Sequence, residues 1–362
     1  MLTPQIIKNS LMELKNITKA ELCVLEPDGT VVAATYEDDL VDREAVCRFV
    51  ESPADSQVIG ADHLLKIMDE EQLAYVLNAK GQTDDVYMVG RIAVCQLQAL
   101  LVAYKEKLDR NSFFQNLLLD NLLLIDVYNR ARRLHIEAAV PRVVIMVEMG
   151  GEKDLTAMEL LRGIYSHHGG DYVTAVDEQS IILIKALPPG SSYDEVDKIA
   201  HTIVDMMNME ALISVRVGYG TIVGELKDVS KSYKEAAMAL EVGRIFYIER
   251  TVNAFNRLGI GRLIYQLPVN LCKIFIDEIF RDISPQDIDE ETIITVSKFF
   301  ENSLNVSETA RQLFVHRNTL VYRLERLERN TGLDVRVFDD ALTFKIAMMV
   351  VDYMRYIGTI GL

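Results

Sequence analysis

Residues 305–332 read NVSETARQLFVHRNTLVYRLERLERNTG, and this stretch decides the fold of the last part of the chain. Its pattern predicts a short helix with Ser307 at the N-cap, because a serine hydroxyl can accept a hydrogen bond from a free backbone N–H group. A tight turn at Phe314 to His316 then leads into a longer helix of about residues 317–328. A short helix, a tight turn and a longer helix form the layout of a helix-turn-helix motif.

The longer helix has two faces of different chemistry. Leu320, Leu324 and Leu327 recur at helical spacing and form an apolar stripe, which is predicted to pack on the preceding helices. The predicted DNA contacts are polar residues away from that stripe: Ser307, His316, Arg317, Asn318, Thr319, Tyr322, Arg323 and Arg326. Arginine can donate two hydrogen bonds to guanine and asparagine can pair with adenine, each pair contributing about 1–3 kcal/mol of discrimination. Tyrosine, histidine and the remaining arginines suit phosphate contacts.

The charge of this segment differs from that of the whole chain. The chain has a formal net charge of -16 and a pI near 4.9, so DNA binding has to come from a local patch. Within residues 305–330, five arginines outweigh three glutamates. From the residues alone, a second interpretation stays open, in which a packing helix carries a solvated face of Arg/Glu pairs.

A resemblance favours DNA binding. The segment is similar to the C-terminal helix-turn-helix of the purine catabolism regulator and carbohydrate diacid regulator transcription factors, with the pattern n-x-s-x-x-A-x-x-L-x-v-H-R-N-T-l-x-Y-R-l followed by t-G-l-d. The positions that match this pattern are Asn305, Ala310, Leu313, His316, Arg317, Asn318, Thr319, Tyr322, Arg323, Thr331 and Gly332. The resemblance implies a transcriptional regulator that binds a double-stranded DNA operator.

The rest of the chain predicts an α+β multidomain protein. Residues 1–107 begin with an amphipathic helix, followed by two strands joined at Pro27-Asp28-Gly29, and are predicted to form a PAS/GAF-like α+β sensor. A helical linker is predicted for residues 108–140. Residues 141–255 alternate strands and helices, with one hairpin, and predict a single sheet covered by helices. No strand is predicted beyond Thr251, and residues 256–362 are predicted to be all-helical and to end with the helix-turn-helix.

The middle domain raises the possibility of an enzyme. Its segment ISVRVGYGTIVGELKDVSKSYKEAAMALEVGRIF is similar to the end of that family's central domain, which is related in fold to diguanylate cyclase (GGDEF) domains. A cyclase needs a Gly-Gly hairpin turn and carboxylates that hold magnesium. The hairpin turn here, Asp177 to Ser180, has no glycine. Gly169, Gly170 and Asp171 precede the hairpin and are interpreted as a loop, like the neighbouring His167 and His168. We therefore expect a degenerate GGDEF-like domain without catalytic residues, metal or cofactor.

The first domain resembles the family least. Diacid regulators carry a D-x-G turn and later the pattern R-I-G-x-x-H; Asp28-Gly29 matches the turn, but the second pattern is missing. Three acidic residues at 37–39 would repel a dicarboxylate. Candidate ligand-binding residues are the cations that could neutralise an anionic effector: Arg43, His63, Lys66 and Arg91. The effector is unknown, and a carboxylate metabolite is one candidate.

Four scattered cysteines predict neither a disulfide framework nor a zinc site. The start of the chain lacks a leader pattern, and no run approaches the roughly 20 apolar residues of a membrane span, so we predict a cytoplasmic protein without a membrane partner. A homodimer is expected, since two recognition helices can read two half-sites. Two other function classes remain as alternatives: a degenerate nucleotide-cyclase-like enzyme and an interaction protein that binds no DNA.

Overall fold

A computed structural model describes residues 2–36, 42–81, 85–150, 155–165, 169–177, 179–280 and 283–358. The chain divides into two units, residues 1–114 and 115–362. The acidic positions Glu37, Asp38 and Asp39 lie outside the described residues, as do His167 and His168.

The first unit is built on a five-stranded antiparallel sheet in the order β2-β1-β5-β4-β3. Its elements are α1 (Pro4–Thr18), β1 (Glu21–Leu25), β2 (Val31–Ala34), α2 (Arg43–Glu51), β3 (Ser56–Ile59), β4 (Asp62–Asp69), β5 (Gln72–Lys80) and α3 (Val86–Leu118), the last of which continues into the second unit. The predicted first helix and the turn between the first two strands are confirmed, with Gly29 at φ +83° in that turn.

Alternation along the strands gives this sheet two apolar faces. In β1, Leu22 and Val24 join a buried cluster with residues of α1 and α3, whereas Cys23 and Leu25 join a second cluster with residues of α2. Successive strand side chains point to opposite faces, so a strand buried on both sides reads as a continuous apolar run. The sheet is therefore a middle layer, covered by α1 and α3 on one side and by α2 on the other.

By length and composition, α3 could cross a membrane, although 39% of its most apolar window is buried inside the structure. The sequence-based expectation that no such segment exists was therefore too strict. Ala93, Val94 and Leu97 of α3 belong to the buried core of the first unit, so this side of the helix packs on the rest of that unit. Helix α3 begins at Val86, inside the predicted sensor of residues 1–107, and ends at Leu118, inside the predicted linker of residues 108–140.

The second unit begins with a sheet in the order β10-β9-β6-β8-β7. Its elements up to the last strand are α4 (Leu124–Arg133), β6 (Arg142–Met149), α5 (Leu155–Tyr165), β7 (Tyr172–Thr174), β8 (Ser180–Ala186), α6 (Tyr193–Met206), β9 (Val215–Tyr219), α7 (Val229–Phe246) and β10 (Val252–Ala254). The predicted single sheet with one hairpin, β7–β8, is confirmed. The expectation that no strand follows Thr251 was wrong, because β10 pairs in parallel with β9.

Helix α7 lies very close to this sheet. A Cβ atom at Gly218 would come within 2.6 Å of the Ala236 carbonyl oxygen, so the glycine permits the close approach. The hydroxyl of Ser232 on α7 accepts a hydrogen bond from the backbone N–H of Val144 (3.0 Å) and donates one to the carbonyl of Thr221 (2.8 Å). These contacts fix α7, whose far end also contacts the C-terminal helices.

The C-terminal part is helical: α8 (Ile260–Tyr265), α9 (Val269–Phe280), α10 (Glu290–Glu301), α11 (Val306–Gln312), α12 (Arg317–Thr331) and α13 (Phe338–Tyr356). One buried cluster joins these helices around Phe299, Leu324 and Phe344. Tyr356 near the end of α13 accepts a hydrogen bond from Arg244 of α7 (2.8 Å) and donates one to Glu241 (2.6 Å). The helix-turn-helix therefore shares a core with α13, and α13 is bonded to the preceding domain.

Candidate nucleic-acid interface

Asn305 is the N-cap of α11, where its side-chain oxygen accepts a hydrogen bond from the backbone N–H of Glu308 (3.1 Å). The prediction that Ser307 caps this helix was wrong, because the helix begins at Val306 and Ser307 already lies within its first turn. Asparagine is as good a cap as serine. Ser307 is exposed, so its predicted contact with DNA stays a prediction.

The turn between α11 and α12 is made by three residues. Phe314 has the left-handed φ of +55°, and its side chain is 95% exposed. The backbone N–H of Val315 donates to the carbonyl of Ala310 (3.0 Å), which closes the turn. His316 is the N-cap of α12, since its Nδ1 accepts a hydrogen bond from the backbone N–H of Asn318 (3.2 Å). The predicted turn at residues 314–316 is confirmed.

The apolar stripe of α12 is also confirmed. Leu320, Leu324 and Leu327 are buried in the cluster that includes Ala310 of α11 and Phe299 of α10. The helix runs three residues beyond its predicted end at 328 and stops at Gly332, whose φ of +77° is the left-handed conformation that ends many helices. Burial of the stripe fixes which side of α12 faces solvent.

The exposed side of α12 begins with five of the predicted contact residues: His316, Arg317, Asn318, Thr319 and Tyr322. Within the described part of the chain, the guanidinium of Arg317 has no ion pair or hydrogen bond. Further along the helix, the guanidinium carbon of Arg329 lies 5.7 Å from the ring centroid of Tyr322, within the range of a cation–π interaction. The start of the helix thus presents free donors and acceptors to solvent.

The other two predicted arginines of this helix are held by carboxylates of α10 and its cap. Arg323 donates to Glu291 (Nη2–Oε2 2.7 Å) and to the hydroxyl of Thr295 (3.1 Å), and only 22% of its side chain is exposed. Arg326 forms an ion pair with Asp289 (3.1 Å). We call Asp289 and Glu291 the acidic clamp. Arg323 therefore lies against α10 and is only partly exposed, and its predicted contact with DNA stays a prediction.

Asp289 has a second role, because it is the N-cap of α10. Its carboxylate accepts hydrogen bonds from the backbone N–H and the hydroxyl of Thr292 (2.9 and 3.0 Å). Burial acts to raise the pKa of Asp289, but the bonds from Thr292 and the charge of Arg326 outweigh it and hold this pKa below its ordinary value. The carboxylate is therefore charged at neutral pH and ties the start of α10 to α12.

The remaining charges near the motif are paired as well. Arg311 is paired with Glu308 through hydrogen bonds from Nε (3.0 Å) and Nη2. Arg336, which follows α12, pairs with Glu328 (2.9 Å) and lies 3.8 Å from Glu325. The five arginines counted in the sequence thus reduce to two, Arg317 and Arg329, that have no carboxylate partner among the described residues.

In the middle domain, the two loops considered as cyclase-type sites are the hairpin turn at 177–180 and the loop that contains Asp171. In the hairpin turn, Asp177 accepts hydrogen bonds from the backbone N–H groups of Gln179 (2.9 Å) and Ser180 (2.7 Å). Asp171 is buried and paired with Lys185 (2.7 Å), and it accepts a bond from the backbone of Ala186 (2.9 Å). Both carboxylates are engaged in holding turns and strands. No group of three metal-binding side chains occurs within the described residues.

The four predicted ligand-binding residues do not share one face of the first unit. Arg43 bonds to the Asp28 carboxylate (3.1 Å) and carbonyl (2.7 Å), and Lys66 donates to the carbonyls of Val50 and Ser52 beneath α2. The ring of His63 lies on the opposite side of the sheet, 6.3 Å from that of Tyr87 on α3. Arg91 is exposed on α3. Their role in ligand binding stays a prediction.

Sequence reasoning missed two features. One is Phe314, an apolar residue in the motif whose full exposure only the geometry of the turn reveals. The other is Asn78, a fully buried strand residue whose amide donates to the Tyr36 hydroxyl (3.2 Å) and to Asp62 (2.9 Å), while its Oδ1 has no partner in the described structure. An asparagine inside an otherwise apolar strand was the only signal in the sequence.

Comparison with known proteins agrees with this architecture. Residues 292–350 match the PucR C-terminal helix-turn-helix domain, and residues 122–242 match a GGDEF-like domain. The purine catabolism regulatory protein of Bacillus subtilis (strain 168) is 27% identical over 136 residues, which cover 37% of this chain and 26% of that protein. The carbohydrate diacid regulator of Escherichia coli (strain K12) is 24% identical, with 78% of this chain and 77% of that protein covered. The uncharacterized protein YsfB of Bacillus subtilis (strain 168) is 21% identical, with 97% and 98% covered.

A GGDEF-like domain followed by a helix-turn-helix is the class of protein that the fold and the site define. Within that class, the chain is similar to the carbohydrate diacid and purine catabolism regulators. The match spans about a quarter of the purine catabolism regulatory protein, so what that whole protein does is not transferred by the match alone.

Proposed function

We propose that this chain is a DNA-binding transcriptional regulator that responds to a small-molecule effector. The observation that carries the proposal is the start of α12, where Arg317, Asn318 and Thr319 are exposed above a stripe of buried leucines. Helix-turn-helix proteins place this part of the second helix in the major groove. The chain as a whole has a net charge of -16 and would repel DNA. Binding therefore has to come from a local cluster of hydrogen-bond donors such as this one.

The residues of α12 divide between two roles in this proposal. Arg317 and Asn318 read base edges, because both are free to form the bidentate pairs that distinguish guanine and adenine. Arg323 and Arg326 have a different part, since the acidic clamp holds them against α10. They fix the angle of α12 on α10 and reach the DNA backbone only when phosphates replace the clamp carboxylates. Phe314 projects from the turn beside the reading residues and packs against sugar or thymine methyl groups.

The middle domain supports a role in regulation instead of catalysis. Its hairpin turn uses Asp177 to cap backbone N–H groups, and Asp171 is neutralised by Lys185. Carboxylates engaged in this way are poor magnesium ligands. The named relatives of the chain are regulators. We infer that the degenerate GGDEF-like domain, taken as residues 141–255, connects a sensor of residues 1–107 and a linker of residues 108–140 to the DNA-binding region of residues 256–362.

The first unit supports effector binding through its buried polar group. The Oδ1 acceptor of Asn78 has no partner in the described structure, while its amide nitrogen donates to the Tyr36 hydroxyl. Buried polar groups are normally paired, so an unpaired acceptor beside Asp62 suits a ligand that donates hydrogen bonds. This argues for a hydroxyl- or ammonium-bearing effector in a PAS/GAF-like sensor, in preference to the carboxylate metabolite that the candidate cations suggested. The regulator is cytoplasmic and binds its operator as a homodimer.

Fluorescence anisotropy of the full chain on labelled DNA from upstream of its own gene tests the proposal. Binding should exceed that to scrambled DNA and weaken steeply as salt is raised, because phosphate contacts release counterions. A chain that binds both DNAs equally, or neither at moderate salt, would contradict the proposal and favour the interaction-protein alternative. Turnover of GTP by the same preparation would favour the enzyme alternative.

A further inference from the structure

Helix α3 has a second apolar face, opposite the one buried on the sheet. Its exposed apolar residues on this face recur at intervals of four, three, four and three: Met88, Ile92, Cys95, Ala99 and Val102. We call this row the α3 seam. The exposed fractions are 62% for Met88, 52% for Ile92 and 55% for Val102. A second helix packed along this row would bury all three side chains. A row with this spacing has an average period of 3.5 residues, which is the period of a two-stranded coiled coil.

The other side of α3 is already used. Ala93, Val94, Leu97 and Leu101 are buried in the core of the first unit, against the sheet. Because α3 is apolar on two sides, its second apolar side needs a partner of its own. That partner contacts one stripe of the helix, since the opposite side is already buried in the core of the first unit. A single stripe fits another helix better than a bilayer, which would surround the helix with lipid.

Charge indicates that the partner is a second copy of this chain. Two chains of net charge -16 repel each other over most of their surface, yet residues 86–104 contain a single charged side chain, Arg91, which is positive. The charged run KEKLDR begins at Lys105, directly after the seam ends. The α3 seam is thus a place where two copies of this acidic chain can approach without opposing negative charges.

The flanking residues favour a parallel arrangement. In a parallel pair, a residue at the g position faces the e position five residues further along the partner helix. Arg91 takes the g position when Ile92 is at a, and Gln96 takes the e position. The guanidinium of Arg91 can then donate to the amide oxygen of Gln96 on the second copy. In the same register, the two Cys95 side chains face each other at a d position.

We propose that two copies of this chain associate through a parallel α3 seam, with Met88, Ile92, Cys95, Ala99 and Val102 as its successive layers. The inference deepens the proposed function, because it locates the homodimer contact of the DNA-binding regulator. In a parallel pair, the two chains leave the seam at the same end.

Light scattering of the full chain without DNA tests the seam. The wild-type mass should be that of two chains, and Ile92→Glu or Val102→Glu should shift it to one chain by placing like charges in opposing layers. Leu108→Glu is the matched control: Leu108 is also exposed and apolar on α3 but lies off the seam, so this variant should stay dimeric. A monomeric wild-type chain, or a dimer that survives both seam variants, would overturn the proposal.

Cys95 provides an independent test of direction. Cys47 and Cys95 are the exposed cysteines, whereas Cys23 and Cys272 are buried. In a Cys47→Ser background, an added mild oxidant should link two chains through Cys95, and Cys95→Ser should abolish the link. A dimer that depends on the seam but does not form this link would overturn the parallel arrangement. Specific DNA binding by a monomer would overturn the seam and the proposed homodimer but leave the proposed DNA-binding regulator standing, while a seam dimer that binds no DNA would overturn the proposed function alone.

Discussion

Arg323 of the recognition helix α12 donates to Glu291 of α10, with 2.7 Å between Nη2 and Oε2. This pair, with that of Arg326 and Asp289, turns two arginines of the motif toward the protein. Each guanidinium therefore faces a carboxylate of the same chain. The same contact orients α12 and reduces the positive charge on its exposed side.

Removing the charge of Glu291 should strengthen DNA binding. In Glu291→Gln, Arg323 loses its carboxylate and becomes available to a phosphate, so the slope of log affinity against log salt should steepen by about one. Anisotropy titrations at several salt concentrations measure this. Glu290→Gln is the matched control, because it changes the same charge in the same helical turn without a described contact to Arg323. Equal effects of both variants on DNA affinity would show that the net charge of the chain, and not the pair of Glu291 with Arg323, controls binding.

Replacing Arg317 should weaken binding to the specific site and relax base preference. Arg317 has no intramolecular partner among the described residues, so Arg317→Ala should leave stability unchanged and reduce specific affinity by about 1–3 kcal/mol. Competition with single-base variants of the site identifies the base that it reads. Arg311→Ala serves as the control, since Arg311 is paired with Glu308. If Arg317→Ala binds every site as well as the wild type, Arg317 makes no base contact.

The N-cap of α11 predicts different effects at two neighbouring positions. Asn305→Ala removes the acceptor for the Glu308 backbone N–H and should lower the free energy of unfolding by about 1 kcal/mol. Ser307→Ala should change it little, because Ser307 caps nothing in the structure. Urea unfolding followed by circular dichroism compares the two variants. A larger loss from Ser307→Ala than from Asn305→Ala would contradict the observed cap.

Phe314 combines backbone strain with exposure. Asparagine tolerates a positive φ better than phenylalanine, so Phe314→Asn should raise the free energy of unfolding by up to about 1 kcal/mol. The same variant should bind DNA more weakly if the ring packs against DNA, as proposed. Phe314→Leu retains both the strain and the apolar contact and is the control. Stronger folding with unchanged DNA binding would remove Phe314 from the interface.

Acid should destabilise the helix-turn-helix region. The pKa of Asp289 is lowered as described above, and hydrogen bonds and charge from Arg336 lower that of Asp334 despite some burial. Carboxylates with a lowered folded-state pKa stabilise the fold above their unfolded pKa, near 3.8, and lose this contribution as pH falls through the folded value. Urea midpoints between pH 7 and 3 should therefore decline below about pH 4, and Asp289→Asn should make the decline shallower.

Short-range sequence patterns were sufficient to predict much of the secondary structure and its arrangement. The helix-turn-helix, its turn and its buried leucine stripe follow from helical periodicity and from short-range turn chemistry within residues 305–332. The middle sheet follows from the alternation of strands and helices. The parallel strand β10 escaped prediction because three residues carry too little periodicity, and its pairing with β9 is a contact between distant parts of the chain.

The sequence by itself determined which residues could meet DNA, since side-chain chemistry and a period of 3.6 residues place Arg317, Asn318 and Arg323 away from the leucines. Only the tertiary structure decided which of them are free. Glu291 is 32 residues before Arg323, and no local pattern states that the two meet. The packing of α10 against α12 brings that carboxylate to the arginine, because ion pairs form between groups that the buried core has already placed side by side.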